Sequence, residues 1–194
     1  MLFRYLPSPH CDARPVGMEI SLLVVHAISL PPHRFGGSYI DDLFLGKLDA
    51  AADPFFAEIE GLRVSAHFLI DRHGEITQYV PVMYRAWHAG VSQWQGRERC
   101  NDFSVGIELE GDEKTPFEPI QYQRLALLFR QMQQRLPSLR SAAQITGHQH
   151  IAPERKWDPG PGFDWDHFHS VLAETVYQEM GPPIVWNRPL IALP

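Results

Sequence analysis

The amino-acid sequence predicts an α/β domain. Three observations carry that reading: a short apolar, β-branched run at 20–26 (ISLLVVH), an alternating run at 103–110 (FSVGIELE), and two stretches of helical spacing at 120–136 and 166–180. The first run reads as a buried strand with His26 at its end. Residues 27–61 hold PP and GG punctuation with short apolar clusters between, which predicts a long connection carrying one or two short helices, one of them within 39–48. Two alternating runs, 63–70 and 75–80, flank a turn-rich Asp71-Arg72-His73-Gly74 and predict a β-hairpin. On its first strand Val64, Ala66, Phe68 and Ile70 share one face, and Arg63, Ser65 and His67 share the other.

In FSVGIELE, Phe103, Val105, Ile107 and Leu109 form a core face. The opposite face sets small Ser104 and Gly106 before Glu108 and Glu110, which leaves room beside Glu108. Leu125, Leu128, Met132 and Leu136 fall at helical spacing in the first amphipathic stretch. In the second, Phe168, Val171, Leu172 and Val176 form the inner stripe, and Gly181-Pro182-Pro183 stops the helix. A domain of residues 1–180 is therefore expected, followed by an apolar but proline-broken C-terminal tail, 181–194.

Composition narrows the function. The chain has 194 residues, 44% hydrophobic and 11% aromatic, enough for one core. Lys and Arg number 17 against 23 Asp and Glu, a net charge of -6, so no basic field exists to hold nucleic acid or an anionic membrane. The start lacks a charged leader followed by a long apolar run, and no stretch approaches the roughly 20 apolar residues that span a bilayer. A cytoplasmic monomer is expected. Cys11 and Cys100 are the only cysteines, too few for a disulfide framework or a Cys-rich zinc site, so a metal here would need histidine and carboxylate.

The segment GHQHIAPERKWDPGPGFDW (147–165) raises that question. His148 follows the apolar run 143–145, Asp158 lies beyond an irregular loop, and His26 ends another strand. Metal sites draw ligands from separate elements in this way, and three zinc ligands leave a fourth position for water. Any one of the ten histidines is as readily a hydrogen-bonded packing group, and on residue types alone both readings stand.

Five blocks, LLVVHAISLPP, LRVSAHFLI, RAWHAGVS, GRERCNDFSVGIELEG and GHQHIAPERKWDPG, resemble in order and spacing the zinc-dependent N-acetylmuramoyl-L-alanine amidases related to peptidoglycan-recognition proteins. Within these, the similarity is greatest to the AmpD branch, cytoplasmic anhydro-N-acetylmuramoyl-L-alanine amidases of cell-wall recycling, and it runs from about residue 8 to 165. The resemblance implies a mixed central sheet flanked by helices, with a Zn2+ site at strand ends under the 27–61 connection. It implies His26, His148 and Asp158 as zinc ligands, Glu108 as the acid/base that handles the water's proton, and Lys156 as a cation near the scissile carbonyl. Arg63, Arg99 and Arg155 then suit the carboxylates of an anhydro-muropeptide stem, because guanidinium groups bind these bidentately. Arg99 has a structural alternative, an ion pair with Glu98 or Asp102.

Other residues keep two readings. Trp87 could stack on a sugar ring or pack in the core. His67 and His88 could line the pocket or pack, while Glu110 and His150 are expected to be structural or to support the ligands. Three departures from the family pattern bear on substrate preference: Ala27 where Asn follows the first ligand, Phe55 where a Tyr is expected, and Trp157 where a Thr is usual. The expected activity is hydrolysis of the amide between 1,6-anhydro-N-acetylmuramic acid and L-alanine. The alternatives are the same chemistry on intact peptidoglycan, favoured less by the missing export signal, and a binding-only relative that has lost a ligand, which metal content would separate.

Overall fold

The structure is a computed structural model that describes residues 3–175 and 183–187. In chain order the elements are β1 (Phe3–Tyr5), β2 (Cys11–Ala13), β3 (Leu22–Ile28), α1 (Tyr39–Phe44), α2 (Pro54–Glu58), β4 (Phe68–Ile70), β5 (Ile76–Gln78), β6 (Tyr84–Ala86), β7 (Gln93–Trp94) and β8 (Arg97–Glu98). They continue with β9 (Ser104–Glu110), α3 (Pro119–Arg135), β10 (Ile145–Gly147), α4 (His148–Ile151) and α5 (Trp165–Glu174). Six strands form the main sheet in the order β1-β5-β4-β9-β3-β10. Its centre is parallel, β4 with β9, β9 with β3 and β3 with β10, while β4 and β5 form the antiparallel hairpin. The expected α/β class with a mixed central sheet is thus observed.

Parallel central strands are buried on both faces, and strand alternation sends successive residues to opposite layers. Leu23 and Val25 of β3 and Val105, Ile107 and Leu109 of β9 pack with Leu125, Phe129 and Met132 of α3 and Phe168 and Leu172 of α5. Leu22 and Val24 point the other way, against Ala89, Cys100, Phe103 and Ile151. Leu69 shares that second side with Leu43 and Phe44 of α1 and Phe56 of α2. His26 follows the parity of Leu22 and Val24, so it emerges on the side away from the long helices, and the register sets it directly beside Glu108.

Several expectations change. The strand holding His26 continues to Ile28, because pairing with β9 persists through Ile28 and Glu110. The hairpin strands are shorter than 63–70 and 75–80; Ser65 and His67 instead bond irregularly to Trp87 and Gly106 backbone groups. β9 is buried along its whole length. The first amphipathic helix forms as α3, where buried Gln121 also donates to the carbonyls of Ile70 and Glu110. α5 stops at Glu174: Thr175 is extended, and its amide and hydroxyl both bond the Val171 carbonyl. The expected inner position Val176 and the Gly181-Pro182 stop lie outside the described residues. Within 183–187, Val185 exchanges hydrogen bonds with the Gln78 side chain, and Trp186 packs on the core under Arg135. Among the described residues no helix is long and apolar enough to cross a membrane.

Candidate metal centre

Three elements deliver the cluster. β3 supplies His26, and β10, paired with β3 in parallel, ends at Gly147 and places His148 at the start of α4. Asp158 returns from the irregular loop, where its carbonyl accepts the Gln149 amide at 2.8 Å. Nδ1 of His26 lies 2.9 Å from Nδ1 of His148, and Asp158 Oδ2 lies 3.1 and 3.0 Å from the two nitrogens. All three residues are buried, and their donor atoms fall within 4.8 Å of one another.

Proton positions test whether a cation fits. His148 Nε2 faces the Ala89 carbonyl at 3.1 Å, and a carbonyl can only accept, so a ring proton sits on Nε2; in the neutral imidazole that a metal requires, Nδ1 is then a bare lone pair. That lone pair confronts a carboxylate oxygen and a second imidazole nitrogen. Such a set is repulsive unless something positive lies among the three atoms. Separations near 3 Å approach the edge of about 3.3 Å that a tetrahedron built on zinc bonds of roughly 2.0–2.1 Å would have. The residues present therefore fit a zinc ion. Burial, then the neighbouring His148, pushes His26 down to about 4, so its imidazole is neutral, as a ligand must be.

Glu108 sits on the neighbouring strand, only 8% exposed, and its Oε2 is buried without a hydrogen-bond partner. Burial, followed by the charge of Asp158, raises its pKa well above the usual carboxylate value, and Lys156 pulls in the opposite direction. Lys156 is exposed, and among the described residues no carboxylate comes within ion-pairing distance of it. Trp157 beside it is 45% exposed. The room expected next to Glu108 is taken: a Cβ on Gly106 would stand 2.5 Å from the His88 ring. The 27–61 connection does not cover this face through hydrogen bonds to the cluster. It meets β9 further on, where Glu110 accepts the Gly36 amide and Asp112 faces His33 at 2.8 Å. Glu110 also takes the Arg72 amide, which fits the structural reading of that residue.

The arginines divide. Arg99 and Arg155 border a cavity of about 560 Å³, together with Ser92, Ile151 and Pro153. Arg99 Nε is 3.3 Å from Asp102 with its side chain 71% exposed, so the ion pair and an outward guanidinium coexist. Arg155 is more committed: its Nη2 donates to the carbonyls of Ala89 and Val91 at 2.6 and 2.8 Å. Arg63 lies over the Trp87 ring at 5.6 Å, and Trp87 is stacked with His10, so this tryptophan is part of a packed layer rather than a bare platform.

Two further histidines are fixed by backbone contacts. His150 Nδ1 faces the Gly147 amide and the Thr146 hydroxyl. His67 Nδ1 accepts the Gly106 amide, which puts its proton on Nε2 towards the Tyr84 carbonyl; burial and Arg14 push it down to about 3. Ala27 and Phe55 pack against the cores. Residue patterns missed the part played by His88, Ala89 and Asn101, described below. RAWHAG stood among the matched blocks, but nothing in a single sequence says which histidine faces which.

Three comparisons bear on this geometry. The model of the family described as N-acetylmuramoyl-L-alanine amidase matches residues 16–161. The 1,6-anhydro-N-acetylmuramyl-L-alanine amidase AmpD of Salmonella typhimurium is 58% identical over 177 residues, covering 91% of this chain and 94% of that protein. A crystal structure of an AmpD derivative superimposes with a TM-score of 0.84 at 58% identity, covering 87% of this chain and 93% of that one. The amidase AmiD of Escherichia coli, in complex with the substrate anhydro-N-acetylmuramic acid-L-Ala-D-gamma-Glu-L-Lys, gives 0.56 at 31% identity over 81% of this chain and 60% of its own.

Proposed function

The chain belongs to the N-acetylmuramoyl-L-alanine amidase family and is a muropeptide amidase, and from that premise we propose that it cuts the bond between 1,6-anhydro-N-acetylmuramic acid and L-alanine, with zinc held by His26, His148 and Asp158. The observation that carries the metal is the convergence of three buried donor atoms from two histidines and an aspartate, within 4.8 Å of one another. The names of relatives 58% identical over most of both chains support the anhydro-sugar substrate.

Bound zinc would supply Lewis acidity and a nucleophilic water near neutral pH. The chain's own residues do the rest. Glu108, raised in pKa and with Oε2 unpaired, takes the proton of the attacking water and returns it to the nitrogen, so that the product leaves as an amine rather than an amide anion. Lys156, with no carboxylate at ion-pairing distance among the described residues, offsets the negative charge that develops on the carbonyl oxygen. Arg99 and Arg155 place positive charge along the adjoining cavity for stem-peptide carboxylates, and Arg63, held over the packed Trp87 ring, adds a further cation. The cytoplasmic location and monomeric state expected from the sequence belong to the same proposal.

Purified protein incubated with anhydromuramoyl-peptides and with intact wall, each with and without chelator, tests this reading by mass of the released fragments. Release of free stem peptide from the anhydro compound, abolished by chelator and restored by zinc, is expected. Chelator-insensitive cleavage would remove the metal from the reading, and preference for intact wall would replace the substrate.

A further inference from the structure

We propose that His88 is a positioning residue of the metal centre: it holds the proton of His26 on Nε2, so that Nδ1 presents a bare lone pair to the metal. The inference rests on the zinc reading above and adds a residue that touches neither metal nor substrate.

The proton positions follow from one fixed end. The Cys100 carbonyl can only accept, and the Ser104 hydroxyl lies 2.6 Å from it, so the single hydroxyl proton of Ser104 is spent there. Ser104 Oγ is then an acceptor for His88 Nε2 at 3.2 Å. A neutral imidazole carries one N–H, which leaves His88 Nδ1 bare. That nitrogen is 2.9 Å from His26 Nε2, which must therefore be the donor. Every proton in the series is assigned, and the consequence at its far end is an unprotonated His26 Nδ1 among the other two ligand atoms. The series is that of a neutral imidazole, each of whose nitrogens meets one partner, Ser104 Oγ at 3.2 Å and His26 Nε2 at 2.9 Å.

Two further observations point the same way. The His88 ring lies on Gly106, where a Cβ would come within 2.5 to 2.7 Å of ring atoms Cγ, Nδ1 and Cδ2, and no positive φ demands glycine at this position. The glycine is there for the ring. Secondly, Asn101 Oδ1 accepts the backbone amides of both His88 and Ala89, at 3.1 and 2.8 Å, and Ala89 in turn supplies the carbonyl that fixes His148. Adjacent residues thus set the two histidines, one by a side chain and one by the backbone. An N–H on His26 Nδ1 would occupy the metal's place and have to move before binding. Groups that orient a ligand histidine typically contribute 10- to 100-fold to metal affinity.

Zinc affinity, measured by competition with a chromophoric chelator, tests this without reference to turnover. His88→Phe keeps an aromatic ring but offers no acceptor, and should weaken zinc binding 10- to 100-fold. His88→Asn returns an acceptor oxygen near the position of Nδ1 and should restore most of that loss; Gly106→Ala, which displaces the ring, should reproduce the defect. The wild-type protein supplies a measurement that needs no variant: nitrogen-15 shifts of zinc-free protein should show His26 protonated on Nε2. A His26 proton on Nδ1 there, or a folded His88→Phe that binds zinc as tightly as wild type, overturns the proposal. So does a folded His88→Asn that is no better than His88→Phe. Wild type that takes up no zinc would instead overturn the metal reading, and the His26 tautomer would still be decided by its nitrogen shifts.

Discussion

Glu108 and His26 are neighbours across two parallel strands, and their chemistry diverges: His26 Nε2 is tied to His88, while Glu108 keeps a buried Oε2 without a partner. A buried carboxylate oxygen without a donor raises the pKa, so the ionised group, which Lys156 favours, is a strong base for the water's proton and holds it as an acid for the leaving nitrogen. Glu108→Gln keeps the shape, cannot exchange a proton, and leaves the three ligands alone. Zinc content should stay at the wild-type value while turnover falls roughly 10²- to 10⁴-fold, as checked by metal analysis and stopped assays on one preparation. Near-normal turnover in zinc-replete Glu108→Gln would move the proton role away from this residue. Glu110 is a poor heir, since the backbone amides of Gly36 and Arg72 already claim it. The triad was legible because His26, His148 and Asp158 sit in matched blocks. The role of His88 was not, because hydrogen-bond direction depends on where a Ser104 hydroxyl and a Cys100 carbonyl end up.

Elements show the same division between pattern and context. Helical spacing located α3 to within a residue of its start, and the alternation of FSVGIELE located β9, since both are local periodicities. Ends depended on partners: β3 runs past His26 because β9 is there to pair, and α5 stops when Thr175 turns its hydroxyl back on Val171. Phe168 is fully buried between α5 and the sheet side of the core, so Phe168→Ala should cost about 3–5 kcal/mol in denaturant unfolding. Since it lies on the face opposite His26, zinc binding by the folded fraction should be unchanged. The link between the long connection and β9 is polar. Asp112 is buried, and although burial raises its pKa, His33 and the amides of Lys114 and Thr115 outweigh that and hold it far below the usual value. A carboxyl lowered on folding adds stability above its unfolded pKa of about 3.9, and loses it as pH falls through the folded value. Asp112→Ala should lower stability at pH 7 by about 1–3 kcal/mol, and the gap from wild type should narrow under acid. An equal gap at pH 7 and pH 3 would mean that the carboxylate charge contributes nothing.

At the scale of the whole molecule, the proposed metal centre is a place where the fold brings together two imidazole nitrogens and a carboxylate oxygen that need a positive charge between them. His26, His148 and Asp158 come from β3, the start of α4 and the following loop, so their approach is held by the sheet pairing and the packing beneath it. Without a cation, opposed lone pairs near 3 Å apart work against that packing. A ligand that binds only the folded chain adds RT ln(1 + [L]/Kd), about 2.7 kcal/mol when free zinc is 100 times its Kd. For a chain of this size each kcal/mol moves the melting midpoint by roughly 2–4 °C, so zinc added to chelator-treated protein should raise Tm by about 5–11 °C. Ca2+ or Mg2+ at the same concentration should do far less, because both prefer all-oxygen coordination and this site offers two imidazoles. His148→Ala removes one of three ligands along with the imidazole facing Asp158. It should therefore melt at a temperature independent of added zinc. A thermal scan of wild type and His148→Ala, each with and without zinc, separates the cases: a zinc shift that survives intact in His148→Ala would place the ion elsewhere on the protein.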